Sequence, residues 1–334
     1  MKVDERCAWI DIAKGIGIVL MVLAHTDHVG TWGSRWINSF HMPLFFVMAG
    51  LCYDERRYPK YWDYFKRKCS ALLYPYVSLS LLVIALMSVL YWGNDPAFSS
   101  YSLLCNMCRG ATLGAFWFIW VLFGVELFYA LISRLLCRTC ERLTLCIICG
   151  FVAVSLAGKH LPYFLDTMLL GMPFYGIGHG SRMVMLKPKR TMTIGLMALG
   201  LVHFLVLRFA FPYKVGFVAN DLHVPILFFC LAVTGTCFVS GVSMCVESLG
   251  RYKYYEYVRT TFSFLGKNSI FLLVTHSALG ISRRSWCTCC PQLGSTSSKL
   301  IELGLLILLF FILAGPMNWL IRIPKVPRKS SLVD

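Results

Sequence analysis

Trp9-Ile-Asp-Ile-Ala-Lys14-Gly-Ile-Gly-Ile-Val-Leu-Met-Val-Leu-Ala-His25 is the stretch whose reading decides the fold. It is continuously apolar apart from three ionisable side chains, with no two-residue alternation. About 20 such residues in a helix cross a hydrocarbon core of about 30 Å. An alternating pattern, by contrast, would be needed for a membrane barrel. The stretch therefore reads as a transmembrane helix.

Nine further windows of the same kind follow. The ten lie near 8–26, 36–53, 70–92, 113–133, 143–158, 161–180, 192–213, 222–246, 264–282 and 300–321. The whole chain of 334 residues is 57% hydrophobic and 14% charged. Soluble domains carry about 25% charged residues, so a water-soluble enzyme is excluded, and 15% aromatic content excludes a solvated disordered chain. The expected fold is an all-α, polytopic membrane bundle of about ten helices, with residues 1–334 as one domain. No small-residue cleavage site follows the first span, so it is expected to stay in place.

Charge orients the bundle. Connections two, four, six and eight, with both termini, hold 23 of the 32 basic residues. The alternate connections hold 8, and Lys14 lies inside the first span. The positive-inside rule then places both termini in the cytoplasm. Insertion bias and attraction to anionic lipid headgroups account for the net charge of +16, so membrane lipid rather than nucleic acid is the expected partner. The basic, aromatic run 56–68 reads as an interfacial amphipathic segment; contact with an anionic cytosolic ligand is its second reading.

An ionisable side chain in a membrane costs a few kcal/mol on insertion scales and marks a site by default. At about 100° and 1.5 Å per residue, Lys14 and His25 lie about 20° apart on one face and about 16 Å apart along the axis. Asp11 sits one turn before Lys14, while Gly15 and Gly17 thin the helix and admit a close neighbour. Two readings are open. Either Asp11 and Lys14 pair with each other and His25 is interfacial, or the stripe lines a passage with a cation at one end and a titratable base at the other.

Other candidates are His41, beside Pro43 at the start of the second span, and Asn268, Ser269 and His276 in the ninth. Trp117 and Trp120 fit an aromatic belt, with Trp117 also able to stack on a ligand, and Glu126 is an isolated mid-span acid needing a partner or a proton. His28, His160, His179, His203 and His223 read as interfacial. The cysteines form no compact pair of CxxC knuckles with flanking His, so no metal is expected, while Cys287, Cys289 and Cys290 are candidates for a disulfide.

The first span, followed by Phe40-His-Met-Pro-Leu-Phe-Phe-Val-Met-Ala-Gly50, resembles the acyltransferase family 3 membrane O-acyltransferases, and most of all their fucose 4-O-acetylase-like branch. Lys14, ten residues and His25 match the family's basic-residue and histidine spacing; His41, Pro43 and Ala49-Gly50 match its second span. Phe116-Trp-Phe-Ile119 and Gly266-Lys-Asn-Ser269, leading to His276, are similar more loosely. Many members have Arg where Lys14 stands.

The resemblance implies a multi-pass enzyme of a bacterial cytoplasmic membrane. It implies transfer of an acyl group, commonly acetyl, from cytosolic acyl-CoA to a hydroxyl of a cell-surface or lipid-linked glycan. His25 would be the catalytic base, with Asp11 and His41 assisting. Lys14, Trp117, Glu126, Asn268, Ser269 and His276 would bind acetyl-CoA, without a metal. A transporter or flippase of glycan or acyl intermediates is the alternative from another class.

Overall fold

A computed structural model describes residues 7–25, 29–90, 99–110, 114–250, 252–274 and 276. The tenth window, the end of the ninth, His28 and the Cys287, Cys289 and Cys290 group lie outside the described residues. Within them the chain is helical, without strands; its only β feature there is a bridge between Gly216 and Asp221.

The helices are α1 (Ala8–His25), α2 (Gly30–Asn38), α3 (His41–Leu51), α4 (Tyr61–Lys68), α5 (Tyr74–Leu90) and α6 (Ser100–Cys108). They continue with α7 (Trp117–Leu135), α8 (Thr139–Ser155), α9 (Leu165–Met185), α10 (Arg190–Phe209), α11 (Pro225–Leu249) and α12 (Lys253–Lys267). Among the described residues, five helices are long and apolar enough to cross a membrane: α1, the α4–α5 unit over Tyr61–Val89, Gly114–Leu135, α10 and α11. These match the first, third, fourth, seventh and eighth windows. Helix α8 covers the fifth with 17 residues and α9 the sixth with 21, the latter containing Pro173 and a buried Asp166.

The second window differs from expectation. Instead of one span over 36–53 it holds two short helices broken at Ser39-Phe40, and the 11 residues of α3 extend only about 16 Å. Pro43 is the cause. It has no N–H to give and its ring crowds the carbonyl four residues back, that of Ser39, so it sits best in a first helical turn, which α3 supplies by starting at His41. Side chains repair the break: His41 Nδ1 donates to the Ile37 carbonyl at 2.9 Å, and Ser39 Oγ donates to that of Trp36 at 2.7 Å.

The 56–68 run also does more than lie at an interface. Helix α4 joins α5 through a wide π-helical turn at Cys69–Leu73. Its Trp62, Lys66 and Arg67 point outward, while Tyr64 and, four residues on, Lys68 turn inward.

Long-range contacts define the two ends of the bundle. At one, Cys7 reaches the Leu186 carbonyl, the Ala8 N–H donates to Glu247, Arg142 pairs with Glu55, and Arg182 pairs with Asp54. The connections that charge counting assigned to one side thus do meet. At the other end Arg35 donates to the Pro212 carbonyl, Trp120 Nε1 to that of Tyr163, and Asn220 Nδ2 to that of Ala153. Between them the core is aromatic, with Trp9, Phe40, Phe46, Tyr76, Phe116, Tyr129, Phe174, Tyr175 and Phe228 almost wholly buried.

Candidate active site

Helices α1 and α12 cross through Gly15 and Gly266. A Cβ on Gly15 would collide with the Phe262 carbonyl, and one on Gly266 with the Asp11 carbonyl, so only hydrogen fits at either position. The neighbour that Gly15 admits is therefore another helix. The glycine contacts (Asp11 and Gly15 on one side, Phe262 and Gly266 on the other), taken with the His25–His276 contact at equal distance beyond them, mean that the two segments run parallel and in register. Ten residues beyond each glycine stand His25 and His276, with ring centroids 5.3 Å apart in a T-shaped arrangement. The sequence offered His41 as a second histidine assisting His25; the ring packed against His25 belongs to His276.

The two rings share one constraint. His25 Nδ1 lies 2.8 Å from the Met21 carbonyl, and His276 Nδ1 lies 3.2 Å from the Leu272 carbonyl, each one turn back on its own helix. A carbonyl only accepts, so in the neutral ring Nδ1 carries the proton and Nε2 keeps the lone pair. His41 is held the same way by Ile37. Three imidazoles are thus fixed in the tautomer that leaves Nε2 as a base. His25 is exposed, while His41 and His276 are 5% and 7% exposed. Both buried rings lie within electrostatic reach of His25.

The remaining candidates occupy other positions. Asp11 is buried at the glycine crossing and Lys14 is half-buried next to it. Asn268 sits where α12 ends: its side chain donates to the Phe264 carbonyl at 2.8 Å, and its own carbonyl accepts from Phe271 and Leu272 as helix resumes over 269–274. That is a capping arrangement. Ser269, half-buried, opens the resumed helix. Trp117 lies in an aromatic layer with Phe217, Phe164 and Phe118, at centroid distances of 6.0–6.5 Å.

Glu126 finds its partner in the run read as interfacial. Lys68 forms an ion pair with its Oε2, and the Tyr64 hydroxyl donates to the same oxygen at 3.0 Å. Close by, Tyr53 shares a 2.5 Å hydrogen bond with Ser133. This network lies toward the end opposite His25.

His203 was read as interfacial but is buried. It ties α10 to the Leu231 carbonyl of α11 at 3.0 Å and contacts Ser39 at 3.3 Å in the α2–α3 break. No hydropathy signal distinguishes such a staple from a surface histidine. Among the described residues, no group of three or more His, Cys, Asp or Glu side chains is placed to hold a metal ion.

A family model described as an acyltransferase domain matches residues 8–286. That span takes in α1 to α12 and both histidines of the close pair. No curated protein and no solved structure matches the chain.

Proposed function

The chain belongs to acyltransferase family 3, and on that premise we propose that it is a membrane O-acyltransferase with His25 as its general base. The donor in this reading is acetyl-CoA or another acyl-CoA, and the acceptor is a hydroxyl of a cell-surface or lipid-linked glycan, as in the fucose 4-O-acetylase-like branch. The membrane would be the cytoplasmic membrane of a bacterium, crossed about ten times with both termini inside.

One observation carries the assignment: His25 is an exposed imidazole whose Nδ1 is committed to the Met21 carbonyl, beside a second imidazole held likewise. A neutral imidazole with a free Nε2 suits proton abstraction near neutral pH. In the reaction, His25 Nε2 takes the proton of the acceptor hydroxyl as its oxygen attacks the thioester carbonyl. The new C–O bond forms, the C–S bond breaks, and the imidazolium returns its proton to the leaving thiolate. The products are the O-acyl ester and free coenzyme A. His276 and His41 would hold the site's charge and shape, Asp11 would order the donor end, and Lys14 with Asn268 and Ser269 would meet the donor's anionic portion. Trp117 and Glu126 stand in separate networks and contribute to this reading only through the packing they support.

The test is direct. Purified protein in nanodiscs is incubated with acetyl-CoA, and free thiol is followed with and without a glycan acceptor. Acceptor-dependent thiol release that His25→Ala removes, at unchanged protein yield, is the expected result. Full release by His25→Ala would end the assignment of the base, and no release by the natural protein with any acyl-CoA would end the reading itself.

A further inference from the structure

One buried titratable side chain takes no part in the reaction above. His203 of α10 is 1% exposed, and its two ring nitrogens face different elements. Nδ1 lies 3.0 Å from the Leu231 carbonyl of α11. A carbonyl only accepts, so Nδ1 carries the proton and Nε2 presents its lone pair. That lone pair meets Ser39 Oγ at 3.3 Å in the break between α2 and α3. The single Ser39 hydroxyl proton is thus shared between the Trp36 carbonyl at 2.7 Å and Nε2. Trp36 and Phe40 stand nearly perpendicular to the imidazole, with centroids 6.5 and 5.5 Å from it. Phe40 in turn occupies the space left by Gly235 of α11, where an added Cβ would come within 2.6 Å of its side chain.

The break needs such an anchor. The Ser39 and Phe40 N–H groups donate back to Arg35 and Ile37 and finish α2, while the Leu44 N–H donates to the Phe40 carbonyl at 2.9 Å and begins α3. A continuous helix passes its direction from residue to residue; two helices that meet at a break do not. What fixes the start of α3 is therefore whatever holds Ser39 and Phe40, and both are held from α10 and α11. His41 follows directly, buried and within electrostatic reach of His25. Its own bond to the Ile37 carbonyl fixes its tautomer but not its distance from α1. Helix α11 supplies that reference, because it packs against α1 as well as α3 and α10.

We propose that His203 is a positioning residue for the acyl-transfer site: its contact with Ser39 sets where α3 begins and thereby holds His41 beside His25. The effect on chemistry rests on the transferase reading; the effect on His41 does not. The two nitrogens divide the work. Nδ1 fastens α10 to α11 through Leu231, and Nε2 fastens the α2–α3 break through Ser39. An asparagine side chain reaches only as far as Nδ1 and a glutamine as far as Nε2, so substitution separates the two.

NMR of isotope-labelled histidine in the full chain in nanodiscs reads the His41 environment without any substrate, the signal being assigned by its loss in His41→Gln. His203→Asn keeps the bond to Leu231 and drops Ser39. The expected result is an unfolding midpoint close to the natural one with a displaced His41 signal. In thiol-release assays kcat should fall by up to about 10²-fold, the cost of a misplacement of about 1 Å, while the acyl-CoA KM holds. His203→Gln, which reaches Ser39, should return the His41 signal and most of kcat. Ser39→Ala removes the same contact from the other side and should displace the same signal; added to His203→Asn it should change little more. An undisplaced His41 signal in folded His203→Asn, or losses of kcat that only follow the unfolding midpoints, overturns the positioning role. Should His203→Asn fail to fold, the His41 signal of Ser39→Ala decides in the same way. A displaced signal in a protein whose natural form releases no thiol from any acyl-CoA upholds the positioning and ends the transferase reading alone.

Discussion

Gly15 of α1 and Gly266 of α12 meet backbone to backbone, and a ten-residue step, along α1 on one side and past the Asn268 cap into the resumed helix on the other, brings His25 and His276 to a centroid separation of 5.3 Å. Ten residues of helix rise about 15 Å. The two contacts are therefore the near and far ends of α1 as it packs against α12 and the helix that resumes after Asn268. The glycine crossing sets the register, and the register delivers the imidazoles. A side chain at the crossing would move the far end as well as the near one.

That lever gives the first prediction. Gly266→Ala places a methyl group against the Asp11 carbonyl, which is backbone and cannot rotate away, so α12 must shift. Overpacking of this kind costs about 1–3 kcal/mol. Thermal unfolding in detergent should show the loss, and acyl transfer should fall further than stability alone explains. Gly195 in α10 is the control, because nothing lies within 4 Å of an added Cβ there. Gly195→Ala should be neutral or slightly stabilising, by at most about 1 kcal/mol. Equal effects at the two positions would remove the crossing from the argument.

Separating the roles of the paired imidazoles gives the second. If His25 is the base and His276 supports it, His25→Ala should lower kcat by about 10²–10⁴-fold, the range for a positioned general base. His276→Ala should cost about 10–10²-fold, and the double variant should be little worse than His25→Ala alone, because residues acting as a unit are not additive. Purely additive losses would mean that the rings act independently.

Much of this was legible in the sequence, for physical reasons that also mark where legibility stopped. Hydropathy located α1, α7, α10 and α11 because a lipid-facing helix needs a long apolar run whatever it packs against. The alternation of basic residues grouped Glu55, Arg142, Asp54 and Arg182 at one end, where they do meet. The α2–α3 break was hidden because Ser39-Phe40 is as apolar as its flanks; the signal was Pro43, which ends a helix rather than merely starting one. His276 was visible as a residue but not as the partner of His25. Helical spacing relates positions only within one helix, and the two are joined by a crossing between distant segments. His203 was missed because a buried staple and an interfacial histidine have the same local sequence.

Glu126 supports a third prediction. Its carboxylate is held by Lys68 and the Tyr64 hydroxyl, and its side chain is 5% exposed. Removing one member of a buried pair strands the other, at a cost of about 3–5 kcal/mol. Lys68→Met should therefore destabilise strongly, leaving the carboxylate with only its tyrosine. Lys68→Met combined with Glu126→Gln should recover much of that loss, since no charge is then buried unpaired. A double-mutant cycle on unfolding in detergent measures the coupling, and a value near zero would mean that the pair contributes nothing to the fold.

At the end of the bundle opposite His25, Arg142 and its partner Glu55 should respond unequally to substitution. Arg142 is 5% exposed and donates from Nε to the Leu136 carbonyl at 2.7 Å and from Nη2 to the Ser133 carbonyl at 2.8 Å, closing the end of α7. Its Nη1 reaches Glu55 at 2.7 Å. Helix-end carbonyls have no partner within their own helix, so these bonds replace ones that α7 cannot make. Lysine offers a single ammonium in place of a planar fork and cannot meet all three directions. Arg142→Lys should therefore cost about 2–3 kcal/mol, from buried acceptors left unpaired. The Glu55 side chain is 43% exposed, and ion pairs in that setting are worth at most about 1 kcal/mol. Glu55→Gln should thus be mild, and equal unfolding midpoints for the two variants would show that the ion pair, rather than the carbonyl bonds, fastens this end.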